Sequence, residues 1–218
     1  MEIKNISFLL TLLLFIVENA STQNIKVNDT DFSKGRLGNI QTINIDDVAK
    51  FHGHKCDGLV EAFLALELAL NEIYPNGIVD RTNTRVISKS SPCMADVAIY
   101  LTGGRYQFNT FYIDNEIDGL FIVEKIDTEE KILVQRKENV KPQKIDELGK
   151  EAIQKKLNSC QLSELKALEE EYSEKLLKGI SSDFFDLKKV KNLEWHPNMK
   201  NDYIKTDIIN KNQSKCEH

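Results

Sequence analysis

The sequence lacks the features that mark several large classes of protein. Its net charge is −5 and it has no basic stretch with interleaved aromatic residues, so a nucleic-acid partner is not expected. It contains neither a glycine-rich phosphate-binding loop nor an internal repeat. Its four cysteines are widely scattered, and the chain is not small, so a disulfide scaffold is unnecessary for stability.

The first 20 residues are typical of a signal peptide. Lys4 supplies a positive charge, and residues 6–17 form an apolar run that is too short for a good transmembrane helix. Cleavage is expected near Ala20, and an uncleaved membrane anchor is the alternative. Under either interpretation the domain is exported, to the periplasm or as a secreted protein, and it meets the membrane only through this segment.

Length and composition predict one domain with appendages. A chain of 218 residues, of which 41% are hydrophobic, can build a single core. The polar stretches that flank this core lack an apolar pattern. We assign residues 1–20 to the signal peptide, 21–38 to a flexible leader, 39–190 to the domain and 191–218 to a polar tail.

Apolar periodicity and turn residues predict the α+β class. A buried central helix is expected over residues 59–74, because apolar positions cover nearly all of its faces. The order of helices, then a strand meander, then helices favours a small, mainly antiparallel sheet flanked by helices. The other helices are predicted over 46–51, 93–101, 142–157 and 163–178, and the strands over 85–88, 108–113, 120–125, 131–136 and 184–190.

Two imidazoles and a thiol alternate within one short stretch of the chain. His52, His54 and Cys56 are interleaved with Gly53 and followed by Gly58. Imidazole and thiolate are soft enough to bind Zn²⁺ and related transition metals. The glycines allow the backbone to turn closely around a bound group, in a loop that leads into a helix. A structural histidine pair beside an inert, buried cysteine is the alternative.

A second candidate segment begins at Pro92, which favours a helix start. Cys93 and Asp96 are three residues apart and would share one helical face, with the thiol in the first turn. The helix dipole there favours the thiolate that a metal ligand or a nucleophile needs. We predict that Cys56 and Cys93 belong to one site, with sulfurs within about 8 Å. A small buried cysteine, or a Cys56–Cys93 disulfide, remains an alternative.

These two segments resemble the signatures of a known family. The run FHGHKCDG, residues 51–58, is similar to the F-H-G-H-x-C-P-G signature of the FmdE-like family, which is named after a formylmethanofuran dehydrogenase component. Two further runs, CMADV at 93–97 and TGG at 102–104, follow in the same order as the family's C-x-x-D-A segment and T-G-C-T-x-G-K-type loop. The resemblance covers about residues 40–190.

The resemblance implies a compact α+β domain that binds a transition metal, with zinc as the expected ion, and that is often a homodimer. Carried over position by position, the implied metal ligands are His52, His54, Cys56, Cys93 and Asp96. The chain departs from the pattern at Asp57, which replaces a proline, and at Gly104, which replaces a cysteine. It also lacks the C-terminal zinc ribbon of many members, and the sequence contains no recognisable binding motif for a pterin, molybdenum or tungsten. The resemblance therefore does not imply formylmethanofuran chemistry.

Three functions remain open on the sequence. The first is a metal-binding protein of the cell envelope that handles metal or binds a small molecule. The second is an enzyme, either a metal-assisted hydrolase with Asp57 or Asp96 as base, or a thiol enzyme that pairs Cys56 with His54. The third is a domain with a Cys56–Cys93 disulfide and no metal. His196, which precedes a proline, is more typical of a surface turn than of a ligand.

Overall fold

The computed structural model describes residues 23–191, 193 and 206–216. The helices are α1 Ile45–His52, α2 Asp57–Ile73, α3 Pro92–Thr102, α4 Gln143–Ile153, α5 Ser159–Lys178 and α6 Ser181–Phe184. The strands are β1 Asn24–Thr30, β2 Leu37–Asn44, β3 Ile78–Asp80, β4 Thr84–Ser88, β5 Phe111–Ile113, β6 Phe121–Lys125, β7 Glu130–Arg136 and β8 Phe185–Lys189. Short 3₁₀ helices occupy Tyr106–Phe108 and Thr206–Ile208. The α+β class is confirmed.

Helix α2 is the buried central helix that its composition predicts. Leu59, Val60, Phe63, Leu66 and Leu70 are all fully buried. The helix packs against α3 on one side and α5 on another, and it also lies on strands β6 and β7. Because these packed elements surround the helix, its first turn is held in a fixed position for whatever side chains it carries.

Two sheets flank the helices. The larger has the order β5-β4-β6-β7-β8 and is antiparallel except for the β4–β5 pair. The smaller has the order β2-β1-β3, with β1 antiparallel to β2 and parallel to β3. The expectation of a mainly antiparallel sheet is therefore confirmed for the larger of the two.

The flexible leader predicted over residues 21–38 is wrong where the structure describes it. Residues 24–30 form β1, and Ile25 and Val27 are buried in the core. The two apolar residues alternate with polar ones, as they do in a strand with one buried face. The burial arises because this face of β1 packs into the core against elements that include helix α3, which lies much later in the chain, and two apolar positions could not reveal that.

Part of the predicted polar tail is also ordered against the domain. The Leu37 backbone N–H donates to the Lys211 carbonyl at 3.0 Å, and the Asn210 side-chain amide donates to the Lys34 carbonyl at 2.9 Å. Residues 206–216 therefore lie along the β1–β2 hairpin. Residues 1–22, which include the predicted signal peptide, lie outside the described residues, as do residues 192, 194–205 and 217–218. His196 is among them.

Several predicted element boundaries shift because of local backbone chemistry. Helix α5 begins at Ser159 rather than Ser163, since Asn158 caps it by accepting from the Gln161 N–H. Helix α1 begins at Ile45 rather than at residue 46, because Asn44 caps it. The strand predicted from Phe108 begins at Phe111, because a 3₁₀ turn and a left-handed Asn109 precede it. The helix predicted to reach 157 ends at Ile153.

No helix among the described residues combines the length and the apolar character needed to cross a membrane.

Candidate metal centre

Three helix ends meet at one point of the fold. Helix α1 ends at His52, and Gly53 follows in the left-handed region with φ of 103°. The chain turns there and enters α2 through Cys56, the N-cap of that helix. Helix α3 starts at Pro92, which places Cys93 in its first turn. The sequence thus brings one imidazole and two thiols together from three separate helices.

The donor atoms of His52, Cys56 and Cys93 form a compact triangle. The two sulfurs are 3.5 Å apart, and His52 Nε2 lies 3.8 Å from Cys56 Sγ and 3.7 Å from Cys93 Sγ. In a tetrahedral zinc site, Zn–S bonds of about 2.3 Å and Zn–N bonds of about 2.0–2.1 Å place neighbouring donors about 3.5–3.8 Å apart. Such a tetrahedron places the two sulfurs about 3.8 Å apart and each sulfur about 3.6 Å from the nitrogen, and the observed separations lie within about 0.3 Å of these values. The prediction that Cys56 and Cys93 share one site is confirmed, and both are free thiols.

The fourth predicted residue, Asp96, lies behind the imidazole. Its Oδ2 is 2.7 Å from Nδ1 of His52, whose side chain is only 6% exposed. With Nδ1–H donating to the carboxylate, the lone pair of Nε2 is directed at the two sulfurs. A carboxylate in this position fixes the tautomer and orientation of a metal-binding histidine. Asp96 therefore serves to position His52 and is not one of the clustered donors.

His54, the fifth predicted residue, is exposed and lies beside the cluster. Its ring centroid is 4.8 Å from that of His52, with the planes tilted by 36°. Among the described residues, the cluster of metal-ligating atoms contains His52, Cys56 and Cys93 but not His54. The reason is the left-handed Gly53, which ends α1 and turns the next residue outward.

The two thiols share one proton. Cys93 donates a hydrogen bond to Cys56, and with the Leu59 backbone N–H and His52 this lowers the pKa of Cys56 to about 5. Cys56 in turn raises the pKa of Cys93 far above its ordinary value, since a second thiolate beside the first is unfavourable. At neutral pH the metal-free site therefore holds a Cys56 thiolate and a Cys93 thiol. A divalent cation would compensate both thiolates.

His52 adds to this charge balance. Burial lowers its pKa, but the hydrogen bonds to Asp96 and Cys56 and their negative charges outweigh burial and raise the pKa overall. Asp96 and Cys56 therefore favour a proton on His52 more than burial disfavours it. Metal binding requires the neutral imidazole and the thiolates, so it must displace protons from this set.

The structure also shows that neither aspartate proposed as a catalytic base is free for that role. Asp96 is engaged by His52, and Asp57 is buried in an ion pair whose Lys141 Nζ lies 3.0 Å from its Oδ2. The thiol-enzyme pairing of Cys56 with His54 is likewise corrected. The imidazole within reach of Cys56 is that of His52.

The sequence did not reveal two neighbours of the centre. Lys141 precedes α4 and is held against the first turn of α2 by its ion pair with Asp57. Glu169 on α5 has a pKa raised by burial and by the negative charges of Asp57 and Cys56. Both line a cavity of about 330 Å³ next to α4. Glu169 stands first in a run of three glutamates that is typical of a solvated helix face, so the sequence carries no signal for its position.

The fold and the site define a small α+β domain whose imidazole and two thiols are arranged to hold a metal ion. Comparison with protein families agrees with this description. Residues 51–186, more than half of the chain, match the family model described as FmdE, Molybdenum formylmethanofuran dehydrogenase operon. The chain belongs to this family. No curated protein matches it.

Substitution of Gly58 tests how closely α2 and α3 approach each other. A Cβ on Gly58 would lie 2.9 Å from Cys93 Sγ and 3.3 Å from Cys93 Cβ, so Gly58→Ala should push the two helices apart. We expect a loss of about 1–3 kcal/mol in the free energy of unfolding, as in overpacked cores, together with weaker zinc binding. Denaturant titration and zinc titration measure the two effects.

Gly149→Ala is the matched control. Gly149 also lies in a helix, but a Cβ there would meet nothing within 4 Å. This substitution should raise the free energy of unfolding by about 0.5–1 kcal/mol, because alanine loses less backbone entropy on folding. Equal effects of the two substitutions would contradict a tight contact between Gly58 and Cys93.

Proposed function

We propose that this protein is an exported zinc-binding protein, in which His52, Cys56 and Cys93 bind the ion and Asp96 orients His52. The observation that carries the proposal is the donor triangle, with separations of 3.5, 3.7 and 3.8 Å. Two thiolates and an imidazole favour zinc over the harder ions magnesium and calcium, which prefer oxygen. The ion is proposed to serve metal handling or to hold a small molecule.

Enzymatic activity is the second candidate function, and one observation favours it. Only three described protein donors converge, and catalytic zinc sites characteristically have three protein ligands and one exchangeable position. Water or a small molecule with a donor atom could occupy that position. Structural zinc sites are instead closed by a fourth protein ligand.

Export of the protein is supported by the charged start and apolar run of residues 1–20. An oxidising compartment would expose the two neighbouring thiols to disulfide formation, and bound metal would hold them as thiolates. The family resemblance adds the proposal of a homodimer, which sedimentation analysis of the purified protein would measure.

Substitution of the clustered donors should abolish tight zinc binding. His52→Ala, Cys56→Ser and Cys93→Ser each remove one bond that water replaces poorly, and each should cut zinc affinity by at least about 100-fold. Asp96→Asn should cost about 10–100-fold, since it leaves the ligand in place but loosens its orientation. Competition with a chromophoric chelator measures these affinities.

Cys160→Ser and His54→Ala are the controls for this series. Cys160 is an exposed thiol outside the cluster, and His54 is an exposed imidazole beside it. Neither substitution should change zinc affinity by more than a few-fold. Unchanged zinc content in Cys56→Ser and Cys93→Ser would refute the metal site and favour the disulfide or thiol-enzyme interpretation.

Cobalt substitution distinguishes an open site from a closed one. Co²⁺ in a tetrahedral site with thiolate ligands has intense visible absorption bands, and cyanide shifts these bands when a coordination position is exchangeable. We expect cyanide to change the spectrum of the Co²⁺ protein, because three protein donors leave one position open. A spectrum insensitive to cyanide would favour a closed structural site and argue against the enzyme function.

Processing of the N-terminus tests export. Protein recovered from the periplasm or the culture medium should have a new N-terminus near Ser21, which intact-mass spectrometry detects. Retention of full-length protein in the cytoplasm would contradict the signal-peptide assignment without affecting the zinc site.

A further inference from the structure

A second cavity lies away from the sulfur cluster, between strand β2 and helices α1 and α3. It has a volume of about 570 Å³. Its walls are formed by two arginines, two aromatic rings, two aliphatic side chains and one glutamine: Arg81, Arg105, Phe51, Tyr100, Ile43, Ile99 and Gln41. We propose that this cavity binds a small organic anion, one that carries a carboxylate or phosphoryl group on an aromatic or other flat apolar body.

Arg81 is the first observation that supports an anionic ligand. Its Nη2 donates to the Tyr100 carbonyl at 3.2 Å, and its Nη1 lies 3.6 Å from Asp29 Oδ2. Its Nε is buried and has no hydrogen-bond acceptor among the described residues. A guanidinium has five N–H donors, and buried donors without acceptors are costly. The Arg81 side chain is 17% exposed, so an oxyanion in the cavity would meet the accessible edge of its guanidinium rather than the buried Nε.

Arg105 places a second positive charge beside the first. Burial and the charge of Arg105 together lower the pKa of Arg81, an effect that the negative charge of Asp29 opposes. The guanidinium of Arg105 is tied to the adjacent Gly104 carbonyl by its Nη1 at 2.8 Å. Two neighbouring guanidinium groups repel each other in the free protein. A bound anion would relieve this repulsion and could accept hydrogen bonds from both groups.

The acidic residues near these arginines line a smaller cavity next to the proposed binding site. Asp29 and Asp207 line a smaller adjoining cavity of about 190 Å³, which also touches Arg81 and Arg105. Among the described residues that line the larger cavity, none is acidic. The larger cavity therefore has two cationic groups in its wall and no acidic residue of its own, and the Asp29 carboxylate balances part of the Arg81 charge from the smaller cavity.

The apolar wall explains why the ligand should be organic. Phe51 is 54% exposed, and its ring centroid lies 5.5 Å from that of Tyr100. A flat apolar body could cover Phe51 and remove its surface from water, a gain that inorganic phosphate cannot provide. The ring pair and the arginine pair thus recognise two different parts of one molecule.

The cavity adjoins the helices that carry the sulfur cluster but does not share its donors. Phe51 immediately precedes His52 on α1, and Tyr100 follows Asp96 by four residues of α3, a rise of about 6 Å. Neither arginine is among the clustered donor residues. Ligand binding in the cavity and zinc content can therefore be measured separately.

Phenyl phosphate, benzoate, inorganic phosphate and benzyl alcohol are the probes for this site. Calorimetric titration of the full chain, with and without zinc, should show binding of phenyl phosphate or benzoate, weaker binding of inorganic phosphate and none of benzyl alcohol. The preference between phenyl phosphate and benzoate identifies the anionic group. Equal binding of benzyl alcohol and the aromatic anions would overturn the anion site, as would no binding of either aromatic anion at millimolar concentration.

Two substitutions separate the two halves of the site. Arg105→Gln should weaken phenyl phosphate binding by about 10–100-fold, the effect of losing one charge-assisted hydrogen bond, and should weaken inorganic phosphate as well. Tyr100→Leu keeps the backbone carbonyl that holds Arg81, so it should weaken phenyl phosphate but leave inorganic phosphate unchanged. Both variants should retain wild-type zinc content.

Arg36→Gln is the charge-matched control. Arg36 lies just before β2 and donates to the Ser214 carbonyl, outside the cavity. Its substitution should leave the binding of every probe unchanged. If Arg36→Gln and Arg105→Gln weaken phenyl phosphate equally, binding follows net charge alone and the proposed site is wrong.

Discussion

The site depends on how the first turn of α2 is capped. This helix is buried along most of its length, so its first N–H groups must find acceptors within the protein. Cys56 provides one, because its sulfur accepts from the Leu59 N–H at 3.4 Å. A sulfur in this position also lies where the helix dipole favours negative charge. The residue that caps the central helix is thus the same residue that offers a thiolate to a metal.

A layer of paired charges beneath this turn holds the surrounding elements in place. Glu61, one turn beyond Asp57, accepts from Arg136 at 2.8 Å and from the Tyr172 hydroxyl at 3.1 Å. Together with the Asp57–Lys141 pair, these contacts tie α2 to β7, to the start of α4 and to α5. Removing one partner of a buried pair leaves an unpaired buried charge, which costs far more than the pair contributes. The layer therefore constrains where the later helices lie relative to the cluster.

The sequence predicted the parts of this arrangement that local chemistry decides. Both segments of the site could be located from the glycine positions, the apolar run of α2 and the proline before Cys93. The proximity of the two sulfurs was predicted from these segments. The choice between His52 and His54 could not be predicted, because it depends on α1 ending at Gly53 in a left-handed conformation. Strand β1 was missed since its buried face packs against elements that lie far away in the sequence. Glu169 was missed because helix α5 packs in a register that its charge pattern does not reveal.

The two sulfurs can serve a metal or a disulfide, but not both. In the metal-free site the Cys56 thiolate lies 3.5 Å from the Cys93 thiol, which is the pair of groups that an oxidant would join. A bound zinc ion neutralises both thiolates and removes them as nucleophiles, whereas a disulfide leaves sulfurs that bind metals poorly. Asp96 favours the metal-bound outcome, because it holds the His52 lone pair toward the sulfurs and so preforms the third ligand. Which state the protein occupies would then depend on whether metal reaches the site before an oxidant does.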